Sequence, residues 1–292
     1  MRLRTIPVSL AGVATAAALG LICHGSVRGV PLTLCIIFAV LAQIASNFAN
    51  EYFDYRDGLD RPGREGFRRG VTEGDISPRA MLTATLLTLA LALGVGCGLI
   101  CYGGWWLVAV GAAVGMGVLA YSAGPYPLSR HGLGEVAVIV FFGLVPVTLT
   151  YWLSTGQTPG VTVWCAAAGI GLLGANVLVV NNYRDRHDDA AVGKHTLAVL
   201  TDAATSGRFS VWQYTANALL GMGLTCPAWW AISPWMLFVP VAFFCGVVAP
   251  LCRRISRESS GRALNPLLGA TARAMALYAL TLLAAALACT EF

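Results

Sequence analysis

The chain has 292 residues, of which 57% are hydrophobic and only 11% charged, against roughly 25% charged in ordinary soluble domains. That composition excludes a soluble globular protein and makes membrane-spanning helices the default. The net charge of +5 fits membrane topology and anionic ligands, and nucleic acid is not an expected partner.

Crossing a bilayer as a helix takes about 20 apolar residues. Runs of that kind recur at approximately 5–23, 30–52, 79–100, 104–122, 133–153, 161–182, 206–226, 228–250 and 267–289. They predict an all-α, polytopic membrane helix bundle of about nine transmembrane helices, with residues 1–292 as one domain. The first run follows Arg2 and Arg4 and is read as a retained span, since its removal would invert every later helix. With the N-terminus inside, eighteen of the nineteen Lys and Arg residues fall on one side or at the helix ends bordering it, Arg28 being the exception. Basic residues collect on the cytoplasmic side, so the N-terminus and the two longest polar loops are expected there, in the inner or plasma membrane. Those loops, about 54–78 and 183–205, mix acids, bases, glycines and some aromatic residues, and read as caps over the bundle. The nine cysteines lie mostly within spans and form no C-x-x-C pair, so neither zinc nor a disulfide framework is expected.

The acids are few and concentrated. Asn50-x-x-x-Asp54-x-x-Asp57 and Asn181-x-x-x-Asp185-x-x-Asp188 repeat one spacing, each where an apolar run gives way to a polar loop. On a helix, residues four apart share a face, so Asn50 projects with Asp54, and Asn181 with Asp185 and Asp189. Carboxylates and amide oxygens gathered at a membrane edge suit a hard divalent cation such as Mg2+, which keeps positions open for phosphate oxygens. Nearby bases could bind those phosphates: Arg64, Arg68 and Arg69 in the first loop, Arg184, Arg186 and Lys194 in the second. Lys194 is the single lysine beside eighteen arginines, and it fits either a specific anion contact or a solvated topological charge. Asp57, Asp75, Asp188 and Asp202 read as ordinary surface charges. The four histidines show no ligand spacing.

Together these motifs resemble the UbiA superfamily of intramembrane prenyltransferases. The likeness runs from Arg4-Thr5-Ile6-Pro7 through Asn47-Phe48-Ala49-Asn50, Asp54 and Gly58-Leu59-Asp60 to Arg64-x-Gly66-x-x-Arg69 and Gly74-x-Ile76-Ser77-Pro78. It continues at Tyr126-Pro127, Gly132-Leu133-Gly134-Glu135, Asn181-Asn182-Tyr183-Arg184-Asp185, Asp189 and Gly193-Lys194-x-Thr196-Leu197. The last two strings, with the Arg64/Gly66/Arg69 pattern, are similar to the branch that prenylates 1,4-dihydroxy-2-naphthoate. The resemblance implies a central cavity open toward lipid. It implies a polyprenyl diphosphate held by Mg2+ on Asn50, Asp54, Asp60, Asp185 and Asp189, with Arg64, Arg69, Arg184 and Lys194 on the diphosphate. Asp54, Asp185 and Lys194 would carry the catalysis. The naphthoate would attack the allylic cation and lose CO2, giving demethylmenaquinone.

Another aromatic acceptor, such as 4-hydroxybenzoate, stays open at this point. A cation transporter or channel would line a path with ionisable residues deep in the spans, whereas here the acids and most bases lie at one edge.

Overall fold

A computed structural model of the chain describes residues 5–62, 66–258 and 261–290, and every regular element among them is helical. In chain order these are α1 (Ile6–His24), α2 (Gly29–Arg56), α3 (Pro78–Gly103), α4 (Trp106–Ser122), α5 (Gly134–Thr155) and α6 (Val161–Ala191). There follow a short α7 (Leu197–Thr205), then α8 (Arg208–Ile232), α9 (Pro234–Arg257) and α10 (Arg262–Thr290). Among the described residues, seven helices are long and apolar enough to cross a membrane: α1, α2, α3, α5, α6, α9 and α10. The other two expected spans are helices but fall outside that group. Of these, α4 is apolar but only 17 residues long, and α8 carries Gln213, Asn217 and Pro227 along its 25 residues. The chain is a multi-pass membrane protein.

Two helices outlast their apolar runs. The run at 30–52 continues as helix to Arg56, and that at 161–182 to Ala191. Both polar motifs therefore begin on continuous helix, where four-residue spacing keeps side chains on one face. By contrast, α3 has a sharp start. Ser77 accepts a hydrogen bond from the Ala80 amide at 3.2 Å, and Pro78 fills the first helical position, where no N–H is needed.

The interior is densest around α6, which packs against α1, α5, α8 and α10. Leu19, Ile170, Tyr214, Trp229, Leu267 and Tyr278 are all fully buried in one cluster. Polar side chains bond across it: Asn176 Nδ2 donates to the Tyr214 carbonyl at 2.8 Å, and Trp229 Nε1 to Tyr278 Oη at 3.0 Å, while Asn176 Oδ1 is buried without a partner. Lipid tails are as apolar as leucine, so helices in a bilayer associate through close fit and such bonds. The α6–α8 crossing depends on glycine. A Cβ on Gly169 would stand 2.4 Å from the Gly221 carbonyl oxygen, and one on Gly221 2.8 Å from that of Gly169.

Within α5, Ile139–Leu144 is a π-helical segment followed by Pro146. Proline supplies no N–H and its ring crowds the carbonyl four residues back, so the preceding turn widens. The Phe142 carbonyl it leaves faces Gly12 of α1, at 3.0 Å from where a Cβ would be. This places Phe141 and Phe142 along the central cavity.

The outer surface of α3 and α4 exposes Leu86, Leu87, Leu91 and Met116, as lipid-facing helices do. Trp105, Trp106, Trp164, Trp230 and Trp235 are also exposed, all at the end of the bundle away from the acidic motifs. Tryptophan favours the membrane–water interface, so these rings mark one boundary of the hydrocarbon layer.

Gly169→Leu should lower the thermal unfolding midpoint of the purified protein, because overpacking costs about 1–3 kcal/mol. An unchanged midpoint would mean that α6 and α8 do not approach this closely.

Candidate active site

The last three turns of α2 form one wall of the site. Asn50 and Asp54 are both buried and line the cavity. After Arg56 the chain turns back, and the amides of Leu59 and Asp60 donate to the Asp54 carbonyl at 2.8 and 3.3 Å. This brings Asp60 beneath Arg69. Arg69 Nε lies 3.2 Å from Asp60 Oδ2, its Nη2 donates to Asn50 Oδ1 at 3.1 Å, and the same nitrogen is 3.6 Å from Asp54 Oδ2. One guanidinium thus joins three members of the first motif. Its Nη1 is buried and has no hydrogen-bond partner.

Opposite stands the end of α6. Asn181, Asp185 and Asp189 rise along one face and line the same cavity. Arg184 binds Asp185 through two 2.7 Å bonds, donates to Asn181 Oδ1 at 2.9 Å and Asn265 Oδ1 at 3.0 Å, and lies over the Phe67 ring. Past Ala191 the chain reverses at Gly193, whose φ of +74° is a conformation that favours glycine. The next residue is thereby returned to the site. The Lys194 amide donates to the Asp189 carbonyl at 2.9 Å, and its ammonium sits 3.4 Å from Asp54 Oδ2 and 3.5 Å from Asp189 Oδ1. Lys194 is therefore a direct charged link between the two motifs.

Between the walls lies a cavity of about 460 Å³. Its mouth is polar. Deeper, its lining is mostly apolar, with Phe38, Leu99, Val114, Phe141, Phe142 and Leu149 among the contributors.

Of the residues singled out in the sequence, Asn50, Asp54, Arg69, Asp185, Asp189 and Lys194 come together around this mouth. Asp60 and Arg184 are buried behind it, each paired to a residue that lines it. Arg64 lies outside the described residues. Asp57, Asp75 and Asp202 pair with Arg130, Arg68 and Arg186 respectively. Arg130, read in the sequence only as a topological charge, also reaches to 3.9 Å from Asp54 Oδ1 and donates to the Ser122 carbonyl. Ser122 in turn accepts from Asn50 Nδ2 at 3.1 Å. Glu135 was legible only as part of a motif, and it accepts a 2.9 Å bond from Asn182, which lines the cavity. No helical spacing rule points to these contacts, because each joins residues that do not share a helix.

Among the described residues, no three His, Cys, Asp or Glu side chains converge as a metal centre. Arginine and lysine stand between the carboxylates instead. The donor chemistry nonetheless fits Mg2+. All four lining groups, Asn50, Asp54, Asp185 and Asp189, offer oxygen, and they face one mouth with room for phosphate oxygens.

An all-helical membrane bundle with paired acidic motifs over an apolar cavity defines an intramembrane prenyltransferase architecture. The chain belongs to the UbiA prenyltransferase family, which matches residues 10–270. Over 284 residues it is 36% identical to the 1,4-dihydroxy-2-naphthoate octaprenyltransferase of Mycobacterium tuberculosis, covering 96% of this chain and 92% of that protein. The Haemophilus influenzae protein of the same name is 37% identical over 205 residues, 68% of this chain and 66% of that one. Among solved structures, a UbiA homolog from Archaeoglobus fulgidus bound to GPP and Mg2+ has a TM-score of 0.67 at 14% identity, covering 99% of both chains.

Lys194→Met should destabilise the metal-free protein by on the order of 3 kcal/mol, since it leaves buried carboxylates short of a counter-charge. Chemical denaturation in micelles measures this, and an unchanged transition would remove the bridge. A second prediction concerns pH. Asp57 is held below the usual carboxylate range, first by its hydrogen bond from Arg56 and then by Arg130, with burial opposing. A lowered value means the stabilisation is complete above the ordinary range near about 3.9 and is lost as pH falls through the lowered value. Between about pH 5 and 3 the wild type should therefore lose more stability than Asp57→Asn. Equal losses would show that Asp57 contributes nothing there.

Proposed function

We propose that this protein transfers a polyprenyl group from polyprenyl diphosphate to 1,4-dihydroxy-2-naphthoate with loss of CO2, giving demethylmenaquinone. The observation that carries the reading is that two acidic motifs, far apart in sequence, meet across the mouth of one largely apolar cavity. The mouth matches a diphosphate and the body of the cavity matches a prenyl chain. The choice of acceptor is supported by the names of the relatives, which cover most of the chain.

Asn50, Asp54, Asp185 and Asp189 are the residues that would hold Mg2+, and Asp60 serves by holding Arg69 in place. Bound Mg2+ would neutralise diphosphate oxygens and so improve the leaving group. Arg69 lines the mouth and brings a guanidinium to the same phosphates, and Lys194 can exchange a carboxylate for a phosphate oxygen without leaving the mouth. Arg184 orients Asp185 through its paired bonds. When the allylic C–O bond breaks, aromatic rings of the wall such as Phe141 and Phe142 are available to the cation that forms, since ring faces stabilise positive charge. The electron-rich ring then attacks and releases its carboxylate.

Residues 1–292 act as one domain, with caps at about 54–78 and 183–205. The basic asymmetry of the sequence orients the caps and the N-terminus to the cytoplasmic side of the inner or plasma membrane.

Purified protein in nanodiscs, given polyprenyl diphosphate, Mg2+ and each ring acid in turn, should form product with the naphthoate. Product from 4-hydroxybenzoate alone would reassign the acceptor, and no product from any would sink the enzyme reading. Asp54→Asn and Asp185→Asn should each lower turnover by about 10²–10³-fold or more while the protein stays folded. Full activity in either would refute its assignment.

A further inference from the structure

We propose that the last turns of α9 bind the phosphate headgroup of an acidic phospholipid through Arg253, Arg254 and Arg257. The inference concerns the bilayer around the protein and does not depend on which ring acid is prenylated.

The string Leu251-Cys252-Arg253-Arg254-Ile255-Ser256-Arg257 closes α9 as continuous helix. Helical periodicity sets Arg253, Arg254 and Arg257 on one side and Leu251, Cys252 and Ile255 on the other. The apolar side is packed: Ile255 is fully buried, and Leu251 and Cys252 lie against the main core. All three arginines are exposed. One face therefore fixes this end of α9 to the bundle, and the opposite face turns its positive charge outward.

These arginines stand apart because they have no counter-charge. Around the acidic motifs, Arg56, Arg68, Arg69, Arg130, Arg184 and Arg186 each pair with an aspartate. Among the described residues, the side chains of Arg253, Arg254 and Arg257 have neither a hydrogen bond nor an ion pair. Glu258 follows at once, but only its amide is engaged, on the Arg254 carbonyl. Topology asks for positive charge at one end of a span. It does not ask that three guanidinium groups share a face without a carboxylate, where they repel one another. A bound anion relieves that repulsion.

Height along α9 identifies the anion. Trp235, at the start of the helix, is exposed and marks the opposite interface. At 1.5 Å per residue, Arg253 and Arg257 lie about 27 and 33 Å further along, close to the hydrocarbon thickness of about 30 Å. Phe238 and Val241 are exposed along the way, as lipid-facing side chains are. The arginines thus stand level with the phosphates of the second leaflet. Arg273 on α10 agrees with this placement. It is exposed on a spanning helix and has no partner among the described residues. Its Nη1 reaches back one turn toward the start of α10, 3.7 Å from where a Cβ on Gly269 would be. Basic side chains near the end of a span turn in this way toward the headgroups. A zwitterionic headgroup brings its own cation, whereas an acidic one leaves its phosphate charge to the protein, and guanidinium groups bind phosphate in paired bonds.

The test titrates full-length protein in micelles with phosphatidylglycerol or phosphatidylcholine of the same acyl chains, and counts bound lipid by native mass spectrometry. The wild type should bind phosphatidylglycerol the more tightly, with a preference that shrinks as salt is raised. An arginine beside an anionic surface is worth about fivefold in affinity. Arg253→Gln, Arg254→Gln and Arg257→Gln together should therefore weaken phosphatidylglycerol binding about 100-fold and leave phosphatidylcholine unchanged. Arg253→Lys, Arg254→Lys and Arg257→Lys together should keep most of the affinity. Arg257→Gln alone, with a loss of about fivefold, carries the test if the triple variant does not fold. Equal wild-type affinity for the two lipids overturns the proposal and leaves a topological charge only. Undiminished phosphatidylglycerol binding in folded variants overturns it as well, since the lipid would then sit elsewhere. So does displacement of the lipid by inorganic phosphate at matching concentration, which would mark a site for a soluble anion.

Discussion

Buried carboxylates at the edge of a bilayer must be matched by positive charge, and the arrangement of this protein follows from that requirement. An ion taken out of water loses several kcal/mol of solvation unless a partner is close and well oriented. Four acids around the mouth have such a partner: Asp60 has Arg69, Asp185 has Arg184, and Asp54 and Asp189 share Lys194, whereas Glu51 accepts from the Val71 amide and Glu135 from Asn182. The loops after α2 and α6 fold back over the bundle to deliver these bases.

The helices divide the labour between rigidity and access. Around α6, glycine contacts with α8 and buried tyrosine and tryptophan bonds hold the second motif on a fixed rod. The helices α2, α3 and α4 instead turn much of their surface outward, and their inner faces bound the cavity. A polar mouth shared by the ends of α2 and α6 over an apolar body suits a substrate with an ionic head and a hydrocarbon tail. The widened turn before Pro146 adds aromatic rings to that body.

Much of this was legible in the residues. The apolar runs mark the helices, with α4 and α8 the two in which length or hydropathy alone is not decisive. The spacing of Asn50 and Asp54, and of Asn181, Asp185 and Asp189, implies shared faces, and both helices continue far enough to make that so. Asp60 and Arg184 carry the motif but stand behind the mouth, which spacing could not reveal because each depends on where a neighbouring arginine or aspartate points. Arg130, Ser122 and Glu135 make cross-helix contacts with no local signature.

By itself the sequence determined a membrane bundle with two acidic helix ends. Hydrocarbon forces backbone groups to bond within each span, and helical periodicity puts residues four apart on the same face. Only the tertiary structure decided that the two ends confront each other and that Lys194 lies between Asp54 and Asp189. Those are relations between helices distant in the chain, set by how their surfaces pack, and no local pattern of residues encodes them.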